Sequence, residues 1–452
     1  MNTQMTQNLI TRKNIVIVGL GKTGLSCVRH LSNTNNNITV MDSREAPPGV
    51  EELKTYFPNI RCVLGEFDKD ILCKADEIIL SPGVPLSNDR IQEAINSGVT
   101  VRGDVDIFAE AANAPIIAIT GSNGKSTVTT LLGEMAKCAG WNVGVGGNLG
   151  VPALDLLAEC RQLYILELSS FQLETTECLS AHSAVILNIS EDHMDRYPQK
   201  ISYLHAKQRI FLGAKHVVVN DDEVLSMPVA TNANNLTHFG LSGEEHDKFS
   251  VIEQSGERYL AKGFDLFLNI KELKIKGEHN LSNCLASMAL ASSVGISQDA
   301  VKAALKTFEG LEHRCQFVRK IQGVEFINDS KATNPGAVAT AVNSLGKYCS
   351  GKVILIAGGE SKSADLSPLK NVMREFGKLA VLIGRDADLF AATFKGIQPS
   401  IKAETIKAAV VEAYQQAEEG DIVLLSPACA SFDMFKGYEQ RGEMFVQEVL
   451  KL

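Results

Sequence analysis

Short runs of β-branched and other apolar residues alternate with stretches of helical periodicity along the whole chain. Ile15–Val18 is followed by a helix-like segment from Thr23 to Leu31, and then by Ile38–Met41. Further runs stand at Ile78–Leu80, Ile116–Ile119, Tyr164–Leu166, Ala184–Leu187 and Val217–Val219. The last third repeats the pattern at Val353–Ile356, Ala380–Ile383 and Ile422–Leu425. Unbroken apolar runs separated by helices are what parallel strands covered on both faces require, so βαβ units and an α/β class are predicted. The polar stretch 231–262 lacks sustained periodicity and is expected to hold loops and short strands.

A length of 452 residues suggests two to four such units, and three is the central expectation. The breaks are expected near 102–106 and 309–311, giving domains 1–105, 106–310 and 311–452, each a mostly parallel sheet flanked by helices. With 44 Lys+Arg against 53 Asp+Glu, the net charge of −9 argues against a nucleic-acid binder but not against an anionic small ligand. Residues 1–8 are polar, without the apolar core of a signal peptide, and no run approaches the roughly 20 apolar residues of a membrane helix. The ten cysteines stand singly, with no C-x-x-C pair, which suits reduced core thiols in a cytoplasmic protein.

The sharpest local signal is Thr120-Gly121-Ser122-Asn123-Gly124-Lys125-Ser126-Thr127, after a strand and before a helix. That order aims backbone N–H groups and a helix N-terminus at one spot, which suits a phosphate. Lys125 would meet the outer phosphates and Ser126 would ligate Mg²⁺. The loop departs from G-x-x-x-x-G-K-[ST], because Ile119 holds the first glycine's place. Gly19-Leu20-Gly21-Lys22-Thr23-Gly24 also follows a strand, with Asp42 ending the next one; taken alone this is a dinucleotide fingerprint. Two such loops suggest two nucleotide-like ligands.

Glu167 closes a strand and is a natural second Mg²⁺ ligand beside Ser126. His193, after the strand that begins at Ala184, is the best histidine candidate for a metal. His205 lies two positions from Lys207 and therefore points off that helix face. Lys207 is a puzzle at a metal site, because an ammonium would be repelled there. A neutral amine could instead take up CO₂ and become an anionic carbamate.

The phosphate loop, Glu167-Leu168-Ser169-Ser170, Asp192-His193-Met194-Asp195 and Gly277-Glu278-His279-Asn280 together resemble the Mur ligase family of ATP-dependent amide-forming enzymes. Asn328-Asp329-Ser330-Lys331-Ala332-Thr333-Asn334 and Ser426-Pro427-Ala428-Cys429-Ala430-Ser431-Phe432-Asp433 look like its D-glutamate-adding branch. The resemblance implies a Rossmann-like first domain, a central ATPase of the phosphate-loop type and a Rossmann-like third domain. It implies that the first domain takes the uridine end of UDP-N-acetylmuramoyl-L-alanine through Lys22, Thr23, Asp42, Ser43, Arg44, Ser81 and Gly83, so that the first glycine loop holds UDP and not NAD. Asn148 and Ser169 would contact the muramoyl-alanine side. ATP would touch residues 121–127 together with Asn280, Asn283, Arg314 and Asp329. D-Glutamate would meet Lys331, Thr333, Lys362, Ser431, Phe432 and Tyr438, the last two standing where the family pattern has Leu and Phe.

The implied catalytic set is Lys125, His193 and Lys207. Of two Mg²⁺ ions, one would use Ser126 and Glu167, the other His193 and carbamylated Lys207. The expected reaction makes an acyl phosphate from ATP and the substrate carboxylate, which the amine of D-glutamate then attacks. Such an enzyme would be a cytoplasmic monomer of peptidoglycan precursor synthesis, with neither nucleic acid nor membrane as partner. Three other readings compete: a ligase adding a different amino acid, of Mur or folylpolyglutamate type; a nucleotide-binding switch without chemistry; and an NAD-dependent oxidoreductase, which rests on Gly19–Gly24 alone.

Overall fold

Three sheets follow one another along the chain in the computed structural model, which describes residues 12–190, 192, 196–197, 199–229, 233, 235–243, 245–361 and 365–452. The first holds β1 (Asn14–Val18), β2 (Asn37–Asp42), β3 (Arg61–Leu64), β4 (Glu77–Leu80) and β5 (Thr100–Arg102), in the order β3-β2-β1-β4-β5, all parallel. Strand order reverses between β1 and β4. A crevice at the carboxyl ends of such a pair is where open α/β sheets take ligands, and the Gly19 loop and the Ser81 turn both leave from there.

The second sheet holds β6 (Ile116–Thr120), β7 (Val143–Gly147), β8 (Leu163–Glu167), β9 (Ser183–Ile186), β10 (His216–Asn220), β11 (Asn235–Phe239), β12 (Phe249–Gln254), β13 (Glu257–Lys262) and β14 (Asp265–Asn269). Its order is β14-β13-β12-β11-β10-β9-β6-β8-β7, parallel except for the β12–β13–β14 meander. β6 therefore lies between β8 and β9, and its loop emerges beside both of their carboxyl ends. The stretch expected to be loops and short strands contains, among its described residues, three strands of five or six residues.

The third sheet joins β15 (Gln316–Ile321), β16 (Val324–Asn328), β17 (Val353–Gly358), β18 (Gly377–Ile383), β19 (Ser400–Lys402) and β20 (Ile422–Leu425), in the order β15-β16-β20-β17-β18-β19. The last strand thus fills the middle, pairing with β16 on one side and β17 on the other.

The central strands are buried on both faces, as their unbroken apolar runs require. One hydrophobic cluster runs from Ile17 and Val28 of the first sheet layer to Leu166 and Ala184 of the second. The helix Asp104–Ala111 carries it across, with Phe108 edge-on to Tyr164 at 5.0 Å. All ten cysteines are free thiols. Cys27, Cys284 and Cys429 are buried, whereas Cys138, Cys160 and Cys178 are exposed, so a core role does not describe them all.

Candidate active site

Gly124 caps the helix Lys125–Cys138 at φ +81, a left-handed conformation suited to glycine, and a Cβ there would lie 2.5 Å from Asn283 Oδ1. The first turn of that helix carries no acidic residue of its own, so its positive dipole end faces the loop. The loop is fixed from the β9 side: Ser122 N–H donates to Asn188 O at 3.0 Å and Asn123 N–H to Asn188 Oδ1 at 2.8 Å. Tyr203, not singled out from sequence, shares a 3.1 Å hydrogen bond with Ser122 Oγ. Lys125 Nζ donates to Gly121 O at 2.7 Å and Ser122 O at 2.8 Å, folding back over its own loop. Burial lowers the pKa of that amine, and the Glu167 charge opposes the shift.

Around the loop the predicted residues converge. Ser126 Oγ donates to Glu167 Oε2 at 2.5 Å, and Asn148 Nδ2 donates to Glu167 Oε1 at 2.7 Å. Arg314, just before the third sheet, donates from Nη2 to Ser126 Oγ at 2.8 Å. Asn280 and Asn283, on the helix Glu278–Ser293, are both buried and bonded to each other at 3.2 Å. Nearby, Asp329 accepts from Ser426 Oγ at 2.7 Å and from Cys315 N–H at 3.1 Å, and burial raises its carboxyl to about 6.

Lys207 lies on the helix Lys200–Gln208 with 1% of its surface exposed. Its Nζ donates to Thr120 Oγ1 at 3.1 Å and Gly121 O at 2.9 Å, over the Tyr203 ring. Burial, reinforced by the charge of Lys125, pushes its pKa well below the ordinary lysine value. His205 is exposed, as its spacing predicts. His193 and Lys362 lie outside the described residues. Among the described residues no three His, Cys, Asp or Glu side chains gather as a metal site. The hydroxyl of Ser126 and the buried carboxylate of Glu167 are nonetheless hard oxygen donors of the kind Mg²⁺ takes, whereas Lys207 as an amine is not.

At the first sheet, Asp42 is buried and saturated. It accepts from Leu20 N–H at 2.7 Å, from Arg44 N–H at 2.9 Å and from the Arg44 guanidinium at 2.8 and 2.7 Å. It therefore shapes the Gly19–Gly24 loop, while Lys22, Ser43 and Gly83 are exposed around it and Thr23 is half-buried. Ser81 Oγ donates to Gly19 O at 2.9 Å. Ser169 caps the short helix Ser170–Leu173.

In the third domain, Lys331 Nζ sits 3.8 Å from the centroid of the Tyr438 ring, and burial lowers its pKa. Ser431 is buried, Thr333 exposed, and Phe432 is 69% exposed. Arg441, missed from sequence, is buried and ties Ser330 Oγ, Ser330 O and Cys429 O at 3.0, 2.8 and 3.2 Å, joining the two C-terminal motifs. A signal was present: Arg441, Phe445 and Val449 recur at helical spacing, so an arginine interrupts an apolar stripe.

A phosphate loop closed by side chains from two neighbouring strand ends and a third domain defines a nucleotide-dependent transferase or ligase. Family models agree along most of the chain: a Mur ligase MurD-like N-terminal domain at 13–103, a Mur ligase middle domain at 119–291 and a Mur ligase glutamate ligase domain at 313–429. The chain belongs to the Mur ligase family, whose members form amide bonds at the expense of ATP. It is 50% identical to the UDP-N-acetylmuramoylalanine–D-glutamate ligase of Pseudomonas savastanoi pv. phaseolicola, over 96% of this chain and 97% of that one. The enzyme of that name from Marinobacter nauticus is 49% identical over 97% and 98%. Among solved structures, a pseudomurein peptide ligase type C from Methanothermus fervidus has a TM-score of 0.61 at 20% identity, covering 97% of this chain and 100% of that one. UDP-N-acetylmuramate–alanine ligase from Thermotoga maritima has 0.59 at 19%, with the same coverage. These two establish likeness of fold.

Proposed function

We propose that this chain joins D-glutamate to UDP-N-acetylmuramoyl-L-alanine in peptidoglycan precursor synthesis, converting ATP to ADP and phosphate. The observation that carries it is the contact from Arg314 to Ser126, which brings the amino-acid domain onto the phosphate loop of a chain related over nearly its whole length to enzymes of that name. The sugar nucleotide enters at the carboxyl ends of β1 and β4, ATP lies between the second and third domains, and D-glutamate meets Lys331, Lys362, Thr333, Ser431, Phe432 and Tyr438. We place the domain limits near residues 105 and 310.

A carboxylate is a poor acyl donor, so its activation by phosphoryl transfer comes first. Lys125 and the helix N-terminus stabilise charge on the transferring group. Ser126 and Glu167 would hold one Mg²⁺, and His193 with carbamylated Lys207 a second, supplying further neutralisation of phosphate charge. Binding here would replace the Ser126–Glu167 and Arg314–Ser126 hydrogen bonds, freeing Arg314 for the nucleotide. The low pKa of Lys207 supports the carbamate, because only a neutral amine adds CO₂. The amine of D-glutamate then attacks the acyl carbon, and the tetrahedral species expels phosphate. Two lysines suit an amino acid that carries two carboxylates.

The test is phosphate release from ATP with UDP-N-acetylmuramoyl-L-alanine and a panel of amino acids, with product identified by mass. D-Glutamate alone should support turnover. Equal use of L-glutamate or of a diamino acid would overturn the specificity, and no release with any of them would overturn the reading.

A further inference from the structure

Arg196 stands where the first two domains meet. Its Nη1 donates to Pro82 O at 2.8 Å, and its Nη2 faces Val84 O at 3.5 Å. On the other side, Nε and Nη2 donate to the two oxygens of Glu174 at 3.1 and 2.5 Å. The guanidinium also lies 4.2 Å from the centroid of the Phe171 ring. The side chains of Arg196 and Glu174 are only 11% and 15% exposed, so the two-pronged pair is sheltered from water and held in one orientation.

Pro82 and Val84 flank Gly83 in the turn proposed to receive the uridine end. Phe171 and Glu174 belong to the segment that follows Ser169, on the proposed muramoyl-alanine side. The turn does not need Arg196 for its shape. Ser81 N–H donates to Val18 O at 2.9 Å, Val84 N–H to Ser81 O at 3.0 Å and Ser81 Oγ to Gly19 O at 2.9 Å, all within the first domain. What Arg196 adds is where that turn stands relative to the second domain.

We infer that Arg196, aligned by Glu174, is a positioning residue that fixes the span between the uridine-binding turn and the phosphate loop, so that one sugar nucleotide engages both at once. The inference rests on the function proposed above. A ligand that bridges two sites gains from the second contact only if the geometry permits both. Loosening the strap lowers the effective concentration of the reacting carboxylate at the phosphate loop and leaves each end site intact.

Arg196→Lys keeps the charge but cannot reach the Pro82 carbonyl while bridging both oxygens of Glu174. Glu174→Gln keeps the packing and removes the charge that aligns the guanidinium. For wild type and both variants, the measurements are calorimetric affinity for UDP alone, KM for ATP, and kcat/KM for UDP-N-acetylmuramoyl-L-alanine. With Arg196→Lys, kcat/KM for the sugar nucleotide should fall at least ~10-fold, while UDP affinity and KM for ATP stay within about twofold. Glu174→Gln should move the same quantity in the same direction by less. An unchanged kcat/KM in both variants overturns the inference. So does a parallel loss of UDP affinity, which would mean that Arg196 shapes the uridine site itself. If wild type neither binds UDP nor releases phosphate with the sugar nucleotide, the proposed function fails, and that outcome is visible before any variant is compared.

Discussion

An amine shut away from water and set beside a second lysine gives up its proton more readily than an ordinary lysine, and Lys207 is such an amine. Lys207→Ala should lose most activity, and a short carboxylic acid added to the buffer should restore part of it by occupying the place of the proposed carbamate. Lys207→Arg should be as damaging as the alanine change, since it brings back a positive charge that CO₂ cannot neutralise. Full activity of the arginine variant in a phosphate-release assay would rule the carbamate out. Lys125→Ala should leave the fold intact and raise the barrier by about 3–4 kcal/mol, the usual effect of removing one donor to developing charge. A folded variant with wild-type phosphate release would remove Lys125 from the phosphate site. The phosphate loop is legible in sequence because strand, glycine turn and helix are contiguous. Asp42 is legible only as a strand-end acid. That all of its acceptor sites are taken by Leu20 and Arg44 emerges from the folded loop.

At the scale of elements, the helix Asp104–Ala111 opens on a buried carboxylate whose oxygens have no hydrogen-bond partner of good geometry among the described residues. The amides of Asp104 and Val105 and the side chain of Gln172 give partial relief, but burial still holds the carboxyl up to about 6, against 3.8 when exposed. The folded state therefore binds this proton more tightly than the unfolded one. Below about pH 4 both states are protonated and nothing is lost. As pH rises from there through about 6, the unfolded chain ionises first and stability falls, by on the order of 3 kcal/mol once both are ionised. Asp104→Asn should accordingly raise Tm at pH 8, and most of the gain should be gone at pH 4. Thermal melts at the two pH values decide it, and an equal effect at both would show that this carboxylate carries no proton linkage. Strands are the best-read elements, because apolar runs covered on both faces leave an unbroken signal. The hairpin strands β12 and β13 are harder to see, because charged and polar residues interrupt their apolar runs and part of each is solvated.

Over the whole molecule, the contacts that join domains are what the sequence hides. Arg314 and Ser126 are 188 positions apart, and Arg196 and Pro82 are 114 apart, so no local pattern marks either contact. Motif resemblance finds the residues that would touch substrate but not those that fix the distances between sites. The third domain is also bonded to the second through His279 Nδ1 and Ser344 Oγ at 2.7 Å, with burial holding that imidazole down to about 4 and hence neutral. Because the proposed uridine and ATP sites lie on different sheets, Asp42→Ala should raise KM for the sugar nucleotide far more than KM for ATP. Steady-state kinetics with each substrate varied in turn will tell, and equal changes in both would move the uridine elsewhere.

The place of β20 bears on how the protein is made. A ribosome releases residues 14–102 long before residues 422–425, so the first sheet can close early, but the third sheet waits for β20, the last of its strands in chain order. Until residues 422–425 arrive, the β15–β16 hairpin and the β17–β18–β19 group have nothing between them, and each presents an open edge ready to pair with the wrong neighbour. A message cut short before that codon leaves the third sheet without its central strand. The same strand leads directly into Ser426, whose hydroxyl holds Asp329. The proposed nucleotide site therefore gains this contact only once β20 and Ser426 have been added to the chain.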